Sequence, residues 1–276
     1  MPIDYLPGIE PGQKIDLSRF QKPERSERLE DSLPFLKEKL STMSEEVNRE
    51  YGDFLDKDGK IKLAGPESQS DSKLVEQQEL GFSQGCRDVA EWKKKSEADP
   101  AGLTEMALTL ALDRWLKGEF IVARSSSYDD YNHGVDHLLI DKKTGQPICG
   151  FDEVISAASD GSAPKKEAKL GAMMAKGGAR MKYGAKLEDG ALRRQPLRDL
   201  PAFYLSLTKS ELSQLVASLK QPESDSLSPA EAKISERLLE SLRVQSERPA
   251  NDAAVRAKAR EALGRLAGCF KLAQAA

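Results

Sequence analysis

A helix-forming stretch that is apolar around most of its circumference runs straight into short strand-forming runs, and this most constrains the fold. Residues 101–117 carry Leu103, Met106, Leu108, Leu110, Leu112, Trp115 and Leu116. A helix of that kind is buried on more than one side. Gly118 ends it. Three strand-like runs follow: Phe120–Ala123, Val135–Ile140 and Pro147–Ile155. The last two are joined by Asp141–Gln146, whose Thr144-Gly145 reads as a hairpin turn. A helix over 165–176 has Leu170, Met173 and Met174 as its apolar stripe, and Gly177-Gly178 stops it. Residues 179–198 read as a basic β-hairpin or irregular ribbon turning at Asp189-Gly190. Ala202–Leu207 is a further strand. Thr208 and Glu211 form a capping box that opens a helix to about Lys220. The order from residue 101 is helix, three strands, helix, basic insertion, strand, helix, a mixed α/β chain.

Helical segments flank this centre. Residues 1–30, with Pro2, Pro7, Pro11, Gly12 and Pro23, read as an extended or disordered arm. Asp31 or Ser32 can cap a first helix with Pro34 in its first turn and Leu33, Leu36, Leu40, Met43, Val47 and Tyr51 at helical spacing. A second helix is expected over about 72–97, although Gly81 and Gly85 weaken it. After a linker at 221–228, Ser228, Pro229 and Glu231 open another helix, and a last one covers about 251–272. The expected divisions are an arm at 1–30, a helical region at 31–100, an α/β core at 101–220 and a helical extension at 221–276.

The chain has 276 residues and a formal net charge of -3. Charge is unevenly spread: residues 101–164 carry 5 basic and 10 acidic groups, whereas 165–198 carry 10 and 3. A basic block in a near-neutral chain can form a local phosphate-binding surface, and its bland counterpart is a solvated hairpin. No apolar run reaches the length of a membrane span, so no membrane partner is expected. Three cysteines far apart, Cys86, Cys149 and Cys269, suit neither a disulfide framework nor a zinc cluster, and the cytoplasm is the expected compartment.

The acidic residues of the hairpin carry the chemistry. Asp136 begins one strand, and Asp152 and Glu153 end the other. Two registers are open. In one Asp136 faces Asp152; in the other it faces Phe151 and shares a face with Glu153. A slip of one residue exchanges the faces. In both, carboxylates converge among apolar neighbours, where they repel and lose solvation. Mg²⁺ relieves such a pair with one or two carboxylates, waters and phosphate oxygens. The structural alternative is a turn cap at Asp136 and solvent-facing acids at a sheet end.

Gly134-Val135-Asp136 and Phe151-Asp152-Glu153-Val154, set in this order of elements, resemble the core of the PD-(D/E)XK nuclease-like superfamily. The resemblance covers roughly residues 101–220. It extends to a divergent bacterial group through Gly177-Gly178-Ala179 and Lys182-Tyr183-Gly184. The resemblance implies an α/β (α+β) fold with a small mixed sheet of the αβββαβ restriction-endonuclease-like type, flanked by N- and C-terminal helices. It implies Mg²⁺ (or Mn²⁺) held by Asp136 and Asp152 or Glu153, with Glu105 as an acid that some members use. The implied reaction is phosphodiester hydrolysis of nucleic acid, in which the metal lowers the pKa of a bound water. The lysine expected two residues after the second acid is absent, since positions 154 and 155 are Val and Ile. Some members carry it on the next helix, which nominates Lys165, Lys166 or Lys169, with Lys169 taken as the catalytic candidate. Lys165, Lys166, Lys176, Arg180, Lys182, Lys186, Arg193 and Arg194 would contact the nucleic-acid backbone, and Tyr183 could stack on a base. The alternative is a catalytically inactive module on the same fold that binds nucleic acid or protein. A third reading makes the helices the functional part of an interaction protein. Oligomeric state is not indicated.

Other patterns are weaker. His133 and His137 flank Gly134 and a strand, which is poor zinc geometry. Ser125-Ser126-Ser127 reads as loop. Asp56-Lys57-Asp58-Gly59 reads as a turn, because Phe54 and Gly65 stand where a calcium loop needs carboxylates. No phosphate-binding glycine loop is present.

Overall fold

Side-chain caps fix where five of the described helices start, and the first two begin without one. In this computed structural model, which describes residues 28–116, 118–155, 162–222, 224, 226–247 and 253–275 (side chains of 162–166 and 271–275 excepted), a 3-10 turn at Leu29–Ser32 leads into α1, Leu33–Tyr51. The expected arm thus lies largely outside the described residues. Helix α2 spans Ser68–Phe82 and α3 spans Val89–Ala98. The single helix expected over 72–97 is therefore two. Gly85 adopts φ +89° between them, and Asp88 caps α3 by accepting the Glu91 N–H at 2.8 Å. Asp99 caps α4, Pro100–Trp115, through the N–H groups of Ala101 and Gly102.

Strand β1 is Phe120–Arg124, α5 is Ser127–His133, β2 is His137–Asp141 and β3 is Pro147–Ile155. The expected hairpin forms. Asp141 holds its turn by accepting from the Lys143 N–H and the Thr144 hydroxyl, both at 2.8 Å, and Gly145 takes φ +70°. A side chain at Gly145 would collide with the Leu187 carbonyl. Helix α6 is Ser162–Ala175. The basic insertion is two ribbons: β4 (Ala179–Met181) pairs with β7 (Leu197–Leu200), and β5 (Ala185–Glu188) pairs with β6 (Ala191–Arg194). Strand β8 (Ala202–Leu207), α7 (Lys209–Leu219), α8 (Pro229–Ser246) and α9 (Ala253–Ala275) complete the chain. The capping boxes Thr208–Glu211 and Ser228–Glu231 are both formed.

The main sheet has the order β1-β2-β3-β8, antiparallel except for the parallel β3–β8 pair. Alternation along its strands separates two apolar layers. Phe120, Val122, Leu139, Phe151, Phe203 and Leu205 pack with α1, α4, α7, α8 and α9. Ile121, Leu138, Ile140 and Ala202 pack with Leu170 of α6, both ribbons and residues 54–61. Helix α4, with ten buried residues, lies in the first layer as its all-round apolar character requires. The outer side of β8 is closed by side chains from α8. Gln245 accepts the Tyr204 N–H at 2.8 Å and donates to the Tyr204 carbonyl at 2.9 Å, while Arg237 donates to the Ser206 carbonyl at 2.6 Å. No helix among the described residues is long and apolar enough to cross a membrane.

Candidate functional site

The register of β2 and β3 pairs His137 with Phe151 and Leu138 with Gly150, which nominally sets Asp136 opposite Asp152. The ladder bends before reaching it. The Asp136 N–H bonds to the Phe151 carbonyl at 2.7 Å, and its Oδ2 accepts the Glu153 N–H at 2.8 Å. Asp152 and Glu153 are both buried, at 3% and 4% exposure, on opposite faces of the strand. Glu153 shares the face of Phe151, toward α4; Asp152 pairs in register with Tyr204 on the other. The solvent-facing alternative for these acids is therefore not realised.

A chain of polar contacts runs from Glu153 into α4. Its Oε1 lies 2.6 Å from His137 Nδ1, and His137 Nε2 lies 2.5 Å from Thr109 Oγ1. The Thr109 hydroxyl also reaches the Glu105 carbonyl at 2.7 Å. All three side chains are buried. Burial, reinforced by the nearby Arg124 and Lys60 charges, lowers the His137 pKa to about 3, so the ring is neutral at pH 7. Because the single Thr109 hydroxyl hydrogen goes to the Glu105 carbonyl, His137 Nε2 is the donor to Thr109, and Nδ1 of the neutral ring accepts from the Glu153 carboxyl. The hydroxyl–imidazole–carboxylate order is that of a nucleophilic triad, but Thr109 is closed to solvent, so the contacts here are structural.

Asp136 is half-buried at the mouth of this network. Loss of water raises its pKa well above the usual carboxylate value, and Glu153, Glu105, Asp152 and Asp130 raise it further. The sequence-predicted acids thus act on one another. Asp136 holds a proton in the folded chain that the unfolded chain releases, so its contribution to stability is full below the ordinary carboxylate pKa and fades as pH rises through the raised value. Asp136→Asn removes that penalty while its amide oxygen can still accept the Glu153 N–H. We expect a gain of about 1 kcal/mol at pH 8, about 2–4 °C in Tm, and none near pH 4, measured by thermal unfolding across pH. A loss at pH 8 would show that the charge is needed.

Glu105 faces this region from α4, where its Oε2 pairs with Arg124 Nη2 at 2.7 Å. Lys169 of α6 brings its ammonium over Gly134, whose φ of +64° ends α5; a Cβ there would collide with it. The side chains of Lys165 and Lys166 lie outside the described residues. Position 155, a half-buried Ile, packs against the first apolar layer.

The basic block is partly neutralised. Lys182 pairs with Glu67 and with Asp71 (2.6 Å), which holds its ammonium well above the usual lysine value. Lys186 pairs with Glu188 at 2.8 Å. Arg194 stacks over Phe54 at 4.7 Å. Tyr183, expected to stack on a base, is instead buried and donates to Asp71. Lys176, Arg180 and Arg193 are exposed, as is Arg198 on β7.

Two centres were not legible in the sequence. Ser125 and Ser126 are loop, as expected, while Ser127 opens α5, and Ser126 caps that helix through the Asp129 N–H. Asp129, fully buried, accepts from the Ser126 hydroxyl (2.8 Å), the Lys182 N–H (2.7 Å) and the Tyr183 N–H (2.9 Å), and lies 2.8 Å from His133 Nδ1. His133 and His137 therefore bond to different carboxylates. The second centre is a cleft of about 640 Å³ between α2, α3, α4 and the 56–60 turn, floored by Glu105 and Arg124. In that turn Asp56 Oδ1 accepts the N–H groups of Asp58 and Lys60, both at 2.9 Å, as the turn reading expects.

Among the described residues, no group of three or more His, Cys, Asp or Glu side chains is arranged to hold a metal ion. No family model matches the chain, and no curated protein or solved structure matches it.

Proposed function

We propose that the chain is a nuclease-like α/β scaffold that binds the phosphodiester backbone of nucleic acid without hydrolysing it. What supports the scaffold is the order α4, β1, β2, β3, α6, β8 with its mixed sheet β1-β2-β3-β8, into which α5 is inserted after β1 and the two ribbons after α6. Exposed Lys176, Arg180, Arg193 and Arg198 supply sequence-independent phosphate contacts. The observation that carries the reading is the 2.6 Å contact between His137 and Glu153. It engages the acid that a Mg²⁺ (or Mn²⁺) ion would need beside Asp136, while Arg124 engages Glu105 and Ile155 stands in the lysine position. Asp152 leaves the opposite face of β3. The donor set does not fit a divalent cation, and no hydrolytic step is assigned to it.

Anisotropy of a labelled single strand tests the reading. Binding should weaken with salt, and the Arg180→Glu, Arg193→Glu double variant should weaken it about tenfold or more. The strand should stay intact with millimolar Mg²⁺ or Mn²⁺. Cleavage that depends on metal and is lost in Asp136→Asn would restore the hydrolytic reading, which is favoured by the carboxylates converging on Asp136 and by Lys169 over Gly134. Absence of polyanion binding would remove both.

A further inference from the structure

We infer that the 640 Å³ cleft is a binding site for an elongated organic cation, a linear polyamine. One wall is aromatic. The Phe82 ring lies 5.6 Å from Trp92 and 5.3 Å, edge-on, from Tyr131, and it is 50% exposed. Aromatic rings left facing an open cleft attract ammonium groups through their quadrupoles and cover alkyl stems through apolar contact.

The lining as a whole is acid-rich. Seven carboxylates and four cationic side chains line the cleft. Each cation has its own carboxylate: Lys37 with Glu97 at 2.7 Å, Lys60 with Asp130 at 3.1 Å, Lys93 with Glu79 at 2.8 Å and Arg124 with Glu105 at 2.7 Å. Of the three remaining, Asp56 and Asp99 accept backbone N–H groups of their own turn and helix. The half-buried carboxylate of Asp58 has no ion pair among the described residues. The cleft lining therefore carries a net negative charge, with Asp58 outside its ion pairs, and an apolar, cation-attracting corner on α2, α3 and α5. An alkyl chain bearing separated ammonium groups satisfies both the carboxylates and the aromatic corner; a compact metal ion satisfies only the carboxylates, and a phosphate is repelled. The volume lies in the range of small-molecule sites. This site is independent of the nucleic-acid reading, whose ligand carries the opposite charge.

Calorimetry of the full chain with spermidine tests the inference, alongside the fluorescence of Trp92, since Trp115 is buried against Phe270. One saturable site should appear, with a change in Trp92 emission. Phe82→Ala and Asp58→Asn should each weaken it about fivefold with unchanged circular dichroism. Mg²⁺ at matched ionic strength should displace spermidine poorly. No saturation, equal displacement by Mg²⁺, or full affinity in both variants would overturn the assignment.

Discussion

His137→Ala is expected to cost the fold about 3–5 kcal/mol, through the cavity it leaves and the buried polar groups it orphans, read as a shift in the urea midpoint at pH 7. The imidazole is buried between Thr109 and Glu153, and its removal leaves the Glu153 carboxyl in a dry site without that ring, close to Asp136. The pH dependence separates this cause from simple loss of volume. A ring whose folded pKa is about 3, against an ordinary 6.5, stays neutral while the unfolded ring protonates. Its contribution is present above pH 6.5 and is lost as pH falls toward 3. The alanine variant lacks that slope, so its deficit should shrink on acidification. A deficit that is constant with pH, or below about 1 kcal/mol, would mean that water replaces the ring.

Asp129→Ala should be of similar size, about 3–5 kcal/mol. Two peptide N–H groups, those of Lys182 and Tyr183, lose their acceptor, and each buried orphan costs about 1–3 kcal/mol. The Ser126 hydroxyl and the His133 ring lose theirs as well. Asp129→Asn keeps one acceptor oxygen and should lose about half as much. Hydrogen exchange at the amides of 182 and 183 gives the local readout: both should accelerate more than those of β2. Protection that stays at the parent level would show that another group accepts these bonds.

The elements legible in the sequence are those set by local chemistry. The turns at Thr144-Gly145 and Asp189-Gly190, the strands 147–155 and 202–207, and the two capping boxes need only neighbours in the chain. Helix α5 was not legible because Ser127–His133 is short and polar; its one signal was Ser126 three residues before Asp129, with Gly134 to end it. The acids of the hairpin were legible, but their state was not. Whether Asp136 meets Asp152 or Glu153 depends on a bend in the ladder, and whether Glu153 is available depends on a histidine that looked like strand flank. The basic block read as open charge because the partners of Lys182, Glu67 and Asp71, lie more than a hundred residues earlier.

The glutamine and arginine of α8 that bond to β8 have a consequence for the molecule in company. A strand with open peptide groups invites a neighbour's strand to lengthen the sheet, and repetition of that step builds polymers. Here Gln245 occupies the peptide groups of Tyr204 and Arg237 takes the carbonyl of Ser206. The sheet therefore stops growing at a helix, and crowded chains have no template there on which to string themselves together.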